Sequence, residues 1–214
     1  MSVSTQLLAD NRDLWAAITD HPFVRAAGNG TLRSDAFHRW LTQDQWFVVG
    51  FRRFLGRLVE LAPNEHARDL LAGAFPALQA EIDLFRREAA QHGLPLDVEP
   101  SPTTLGYTSL VLAAPVDGWP VSLTVLYGAE RAYFDAWASV RGSADERSPY
   151  WPFIDNWSSP AFGEWVDRLA ALLDATVTAP APPEVERAFR RVVRFELRFW
   201  DAVHAGESWE DTPR

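Results

Sequence analysis

An all-α helical bundle is the fold class this sequence predicts, and three observations predict it. Apolar residues recur at helical period in every long segment, short breaks marked by proline or glycine separate the segments, and no stretch alternates with the period of a strand. With 214 residues, no composition shift and no internal repeat, the expectation is a single domain over 1–214, its core at about 10–205.

Residues 4–19 carry Leu7, Leu8, Trp15 and Ile18 at helical spacing. The triplet at 21–23 with Gly28 and Gly30 reads as a break, and Gly28-Asn29-Gly30 as a turn. Ser34 reads as an N-cap, followed on one broad face by Phe37, Trp40, Leu41, Asp44, Phe47 and Val48 up to about Leu61. Pro63 and Asn64 punctuate that helix. The next runs from Glu65 to His92, with a kink or short interruption expected at Pro76 and a C-terminal glycine at Gly93.

The proline-rich stretch up to Ser101 reads as extended, and helix resumes over Pro102–Ala114 with Tyr107 and Leu110 on one side. Pro115–Pro120 is a connector to a long helix over Val121–Val140, whose stripe holds Leu123, Leu126, Tyr127, Glu130, Phe134 and Trp137. After a polar loop, the segment from Tyr150 to Trp157 reads as a short helix or turn. Ser159-Pro160 starts a helix through about Ala175, and an alanine-proline stretch separates it from the last, 183–205.

Charge and composition narrow the function. A formal charge of −9 argues against nucleic acid or an anionic membrane as partner, because both demand a basic footprint, and leaves a small molecule as the expected ligand. The absence of cysteine excludes disulfides, thiolate metal sites and cysteine nucleophiles. The N-terminus has neither a basic region nor an apolar one, no apolar run approaches a span of about 18 residues, and a cytoplasmic location is expected. Ten Trp, thirteen Phe and four Tyr exceed the needs of an aliphatic core; rings pack helices, and they also wall pockets for flat ligands.

The most informative stretch surrounds Glu196. Glu196 and Trp200 are four apart and share a helix face, while Phe195 and Phe199 form the neighbouring ridge. An acid beside aromatic residues is costly to bury unless it is paired, neutralised or used. Either Glu196 is solvated and paired with Arg194 or Arg191, or it belongs to a polar pocket. Asp44 repeats the arrangement among Trp40, Trp46 and Phe47, which favours a shared pocket. Asp44, Tyr107, Glu130 and Glu196 are the residues expected to converge between facing helices. Ser158 and Ser159 lack a nucleophile-elbow context, and no glycine-rich loop cradles phosphate.

Six pieces in order, HPFVRAAGNGTL, FHRWLTQDQWFV, TTLGYTSLVL, LYGAERAYFDAW, IDNWSSPAFGEWV and RFELRFWDAV, resemble the TenA/THI-4 (thiaminase II) family over roughly residues 10–205. The resemblance implies a heme-oxygenase-like helical bundle, associating as dimers or tetramers, that hydrolyses thiamin-derived aminopyrimidines and releases hydroxymethylpyrimidine. By the same resemblance Asp44 holds the pyrimidine amino group and ring nitrogen, Tyr107 supports it, and Glu196 transfers protons. Phe47, Trp157 and Tyr133 stand with the substrate-binding residues. The chemistry agrees: a carboxylate accepts from an exocyclic amine and from a protonated ring nitrogen, and an acid in apolar surroundings can exchange a proton near neutrality.

The sequence also departs from the family. Ala129 stands where the commonest members carry a catalytic cysteine, and Phe47 and Trp157 stand where tyrosine is usual. Glu130, beside Ala129, has two readings. In the first it replaces the thiol, as glutamate does in members acting on amide or amino derivatives, and activates water as a base. In the second it pairs with Arg131 or Arg52 and the activity is changed or lost. A metal class is the remaining alternative, since related bundles bind haem or two iron ions and Glu88-x-x-x-His92 and Asp201-x-x-His204 put acid and imidazole on one face. The two pairs lie near helix ends and do not repeat, so His92 and His204 read as helix-dipole partners and His21 as a cap or turn residue. No metal or cofactor is expected.

Overall fold

Among the residues described by the computed structural model, 1–209, every regular element is helical; residues 210–214 of the expected domain lie outside them. In chain order the helices are α1 (Val3–Asp10), α2 (Arg12–Thr19), α3 (Pro22–Gly28), α4 (Ser34–Leu61), α5 (Glu65–Ala72), α6 (Phe75–His92), α7 (Pro102–Ala113), α8 (Trp119–Arg141), α9 (Trp151–Ser158), α10 (Pro160–Thr176) and α11 (Pro183–Ala205), with a 3₁₀ turn at Ala114–Asp117. None of them is long and apolar enough to cross a membrane.

Several boundaries differ from the sequence reading. Residues 4–19 form two helices, because buried Asn11 turns its side chain back to donate to the Leu7 carbonyl at 2.8 Å. Such a local bond competes with continued helix. The presumed break at 21–23 starts α3: Pro22 occupies its first turn, and the His21 ring accepts from the Phe23 N–H at 3.1 Å, which makes His21 a cap. Arg33, not Ser34, is the N-cap of α4. The interruption expected near Pro76 falls at Gly73-Ala74, and Gly93 closes α6 with a φ of +64°. Ser159 caps α10, accepting from the Phe162 N–H at 3.2 Å.

The chain divides into two compact units, Met1–Leu32 with Pro120–Trp200, and Arg33–Trp119 with the chain from Asp201 onward. In the first, the Asp174 carboxylate takes the Ser4 N–H and hydroxyl at 2.7 and 2.8 Å and ties α1 to α10. Trp15 Nε1 donates to Asp135 at 2.9 Å, and Arg131 grips the same oxygen at 2.9 Å. Burial alone would lower the Arg131 guanidinium, but the hydrogen bond and charge of Asp135 outweigh it and hold it above its ordinary value. Gly28 and Gly128 allow close helix approach, since a Cβ at either would stand 2.5 Å from Val140 Cβ or 3.2 Å from Val192 Cγ1. The second contact brings α11 against α8.

In the second unit α4 is the spine against which α5, α6 and α7 pack. Trp40 meets Phe85 at 5.6 Å across α4 and α6, and each such ring contributes roughly 2–3 kcal/mol by its burial. Arg39 reaches the end of α11, donating to the carbonyls of Val203 at 2.9 Å and His204 at 3.2 Å, where it satisfies terminal acceptors.

Candidate active site

Asp44 sits on α4 and is 2% exposed. The helix beside it, α7, runs parallel to α4 in fixed register. Gln43 accepts from the Ser101 N–H at 2.8 Å, and Gly50 lies against Thr108, a separation of 58 residues in both cases. The Gln43 amide also donates to the Glu99 carbonyl at 3.2 Å, and the Ser101 hydroxyl accepts from the Thr104 N–H at 3.2 Å, so the loop entering α7 is held at both ends. That register brings the Phe47 ring against Tyr107 at 4.6 Å with the planes tilted by 32°, and Phe51 follows Phe47 at 5.7 Å.

Two further polar side chains of this unit's interior were not anticipated from the sequence. Gln45 and Thr108, sequence neighbours of Asp44 and Tyr107, are 6% and 1% exposed, and neither Gln45 Oε1 nor Thr108 Oγ1 bonds within the described residues. Helical hydroxyls elsewhere turn back to their own helix, as Thr42 does to His38 and Ser109 to Leu105. Thr108 has its methyl against Gly50 instead. A threonine run on the helix side facing another helix was the available signal: Thr104 and Thr108 flank Tyr107 at one-turn spacing.

Glu196 lies in the other unit and is 1% exposed, whereas Arg191 and Arg194 are exposed. The solvated alternative for this acid is thereby corrected: its side of α11 is turned inward. One turn on, Trp200 is sandwiched between Phe23 at 5.2 Å and Tyr133 at 5.3 Å, with Trp137 edge-on at 5.7 Å. Tyr133 meets Trp157 edge-on at 5.4 Å, and Trp157 stacks between Trp137 and Phe153, each at 6.0 Å. Of this box, the sequence reading included Tyr133, Trp157 and Trp200 but placed Trp137 only on a helix stripe and did not foresee Phe23 or Phe153. Offset and edge-on rings at these spacings attract beyond their burial and hold one another's rotamers.

Glu130 is half-buried on α8, one turn before Tyr133, and Ala129 beside it is buried. Both arginines named as alternative partners are engaged: Arg131 with Asp135, and Arg52 with the Gln79 amide oxygen at 2.9 Å. Asp44, Phe47 and Tyr107 thus belong to one unit, and Glu130, Tyr133, Trp157 and Glu196 to the other. Nearby, burial pushes the Tyr127 hydroxyl up to about 12.

The family profile described as TENA/THI-4/PQQC matches residues 8–205, on both sides of Asp44, Tyr107, Glu130 and Glu196. The chain belongs to the TENA/THI-4/PQQC family. It is 27% identical to the aminopyrimidine aminohydrolase of Halalkalibacterium halodurans, with 98% of each chain covered, and 22% identical to that of Bacillus subtilis, covering 99% of this chain and 94% of that one. A TenA homologue from Pyrococcus furiosus superimposes with a TM-score of 0.88 at 30% identity, covering 94% of this chain and 99% of the other. The helical bundle of the family is therefore the fold of this chain.

For this TENA/THI-4/PQQC member the histidines of the metal alternative are placed as follows. His21 caps α3, and His92 and His204 stand in the last turns of α6 and α11. Among the described residues no group of three or more His, Cys, Asp or Glu is arranged to hold a metal ion.

Proposed function

We propose that this chain hydrolyses a C–N bond of a thiamin-derived aminopyrimidine, or its formylamino derivative, without a thiol nucleophile. The observation that carries the proposal is Glu196: a carboxylate buried to 1% exposure beside stacked rings, in a family whose curated relatives are named aminopyrimidine aminohydrolase. In the aminopyrimidine reaction water forms the new C–O bond, the C–N bond breaks, and the nitrogen leaves as ammonia after gaining a proton. Glu196 is the group proposed to move that proton. Asp44 is the proposed anchor of the pyrimidine amino group and ring nitrogen, and Tyr107 and Phe47 are its support. Tyr133 and Trp157 are the proposed ring walls, and Glu130 is the proposed base that orients water in place of the missing thiol.

Ala129 favours a second reading, a pyrimidine-binding relative with altered or lost activity, because the usual nucleophile is gone. Incubation of purified protein with the aminopyrimidine and formylaminopyrimidine separates the two. Hydroxymethylpyrimidine should accumulate, in colourless protein and in the presence of chelator, while thiamin itself is turned over poorly for want of a thiol. Failure with both pyrimidines would leave binding alone.

We further propose that the chain acts as a homo-oligomer. The outer side of α7 supports this: Leu105 and Leu112 are 38% and 40% exposed while Thr104, Tyr107 and Thr108 are buried, an inversion of the usual pattern. Sedimentation should find a mass above that of one chain, and Leu105→Glu with Leu112→Glu should reduce it.

A further inference from the structure

Two histidines of the Arg33–Trp119 unit face each other outside the pyrimidine machinery. His38 on α4 and His92 at the end of α6 have ring centroids 5.1 Å apart, their planes at 56°. Phe37 wedges against both, edge-on to His92 at 5.5 Å and 6.1 Å from His38. From these contacts we infer that His38 and His92 form a two-imidazole chelate for a divalent transition ion of the zinc, nickel or copper class.

The centroid spacing is compatible with such a chelate. A zinc–nitrogen bond of about 2.0–2.1 Å puts each ring centroid about 3.2 Å from the metal, so two rings at a tetrahedral angle stand about 5.2 Å apart. Imidazole is also the ligand this class of ion prefers. His38 is half-buried and His92 exposed, which gives the ion a path from solvent. Neutral imidazole is the form that binds metal.

With no third His, Cys, Asp or Glu gathered there among the described residues, the other coordination positions fall to water. Glu88 stands one turn before His92 on α6, Asp35 three residues before His38 on α4, and Arg39, which holds Asp35 at 3.0 Å, adjoins His38. An ion in this site ties the end of α6 to α4. It thereby fixes the chain just before the connector that Gln43 clamps to α7. The effect is on stability through mass action, not on the chemical step.

The experiment uses tag-free, metal-stripped full-length protein melted with and without Zn²⁺. Zinc should raise Tm by a few degrees in the wild type and in His66→Ala, a histidine on the exposed surface of α5, and the rise should vanish in His38→Ala and in His92→Gln. Because His92 is exposed, its variant tests the site even if His38→Ala folds poorly. Cu²⁺ added to the same samples should give a spin-resonance signal split by two nitrogens in the wild type, and by fewer in either variant. No shift up to millimolar zinc, or a shift that persists in His92→Gln, would overturn the chelate.

Discussion

Asp44 and Glu196 are both carboxylates buried on long helices, 2% and 1% exposed, but they keep different company. Asp44 stands in a unit whose interior holds hydrogen-bonding side chains: Gln45 next to it, Thr104 and Thr108 on α7, and Tyr107 against Phe47. Glu196 stands in a unit where Phe23, Tyr133, Trp137, Phe153, Trp157 and Trp200 touch in an unbroken series. A polar surround suits an acid that must stay ionised and recognise donors. An aromatic surround suits one that must change protonation state, because it stabilises the neutral form relative to the charged one. The difference supports the proposed division of roles, recognition by the first acid and proton transfer by the second.

The largest expected effect is on chemistry. Glu196→Gln keeps the shape and removes the titratable proton, so kcat should fall by about 10²–10⁴ with KM within a few-fold. Asp44→Asn should act the other way: loss of one charge-assisted contact, about 1.5–3 kcal/mol, raises KM by roughly 10- to 150-fold. Steady-state kinetics on the aminopyrimidine reads both. If the two substitutions change kcat and KM in the same proportion, the contrast between the surrounds has no functional meaning.

The packing of the units supplies a finer contrast. A Cβ on Gly50 would meet Thr108 Cγ2 at 2.5 Å, and one on Gly28 would meet Val140 Cβ at 2.5 Å. Alanine at either glycine should cost about 1–3 kcal/mol in denaturant unfolding. Thr108→Ser removes the offending methyl and should recover most of the loss at Gly50. Val140→Ala leaves its Cβ in place and should recover little at Gly28.

The smallest effect is a pH dependence in the unit of Glu196. The folded-state Tyr127 hydroxyl is pushed from 10.0 up to about 12 by burial, so folded protein retains a proton that unfolded protein loses. The associated stability is fully present below pH 10 and disappears as pH rises towards 12, about 1.4 kcal/mol of it by pH 11. Tyr127→Phe should flatten this alkaline arm of the stability curve.

How far each feature was legible in the sequence follows the range of the interaction that makes it. Helical period and capping act within a few residues, and they indicated α4, α10, α11 and the ends at Gly93 and Ser159. Asn11 and His21 also act locally, but through side chains that bond their own backbone, which apolar periodicity does not register. The acids Asp44 and Glu196 were visible because each sits among aromatic residues on one helix. Gln45 and Thr108 were not, since their burial depends on the register between α4 and α7, set by Gln43 across a 58-residue separation. Glu130 shares a stripe with Tyr127, Phe134 and Trp137, but Arg131 beside it left both of its readings open.

The division of roles is tested most directly by melting wild type, Asp44→Asn and Glu196→Gln with and without hydroxymethylpyrimidine, a measurement independent of turnover. Product bound to the folded state should raise Tm by several degrees in the wild type. The account predicts that Asp44→Asn abolishes the rise while Glu196→Gln keeps most of it. Equal loss in both variants would contradict it.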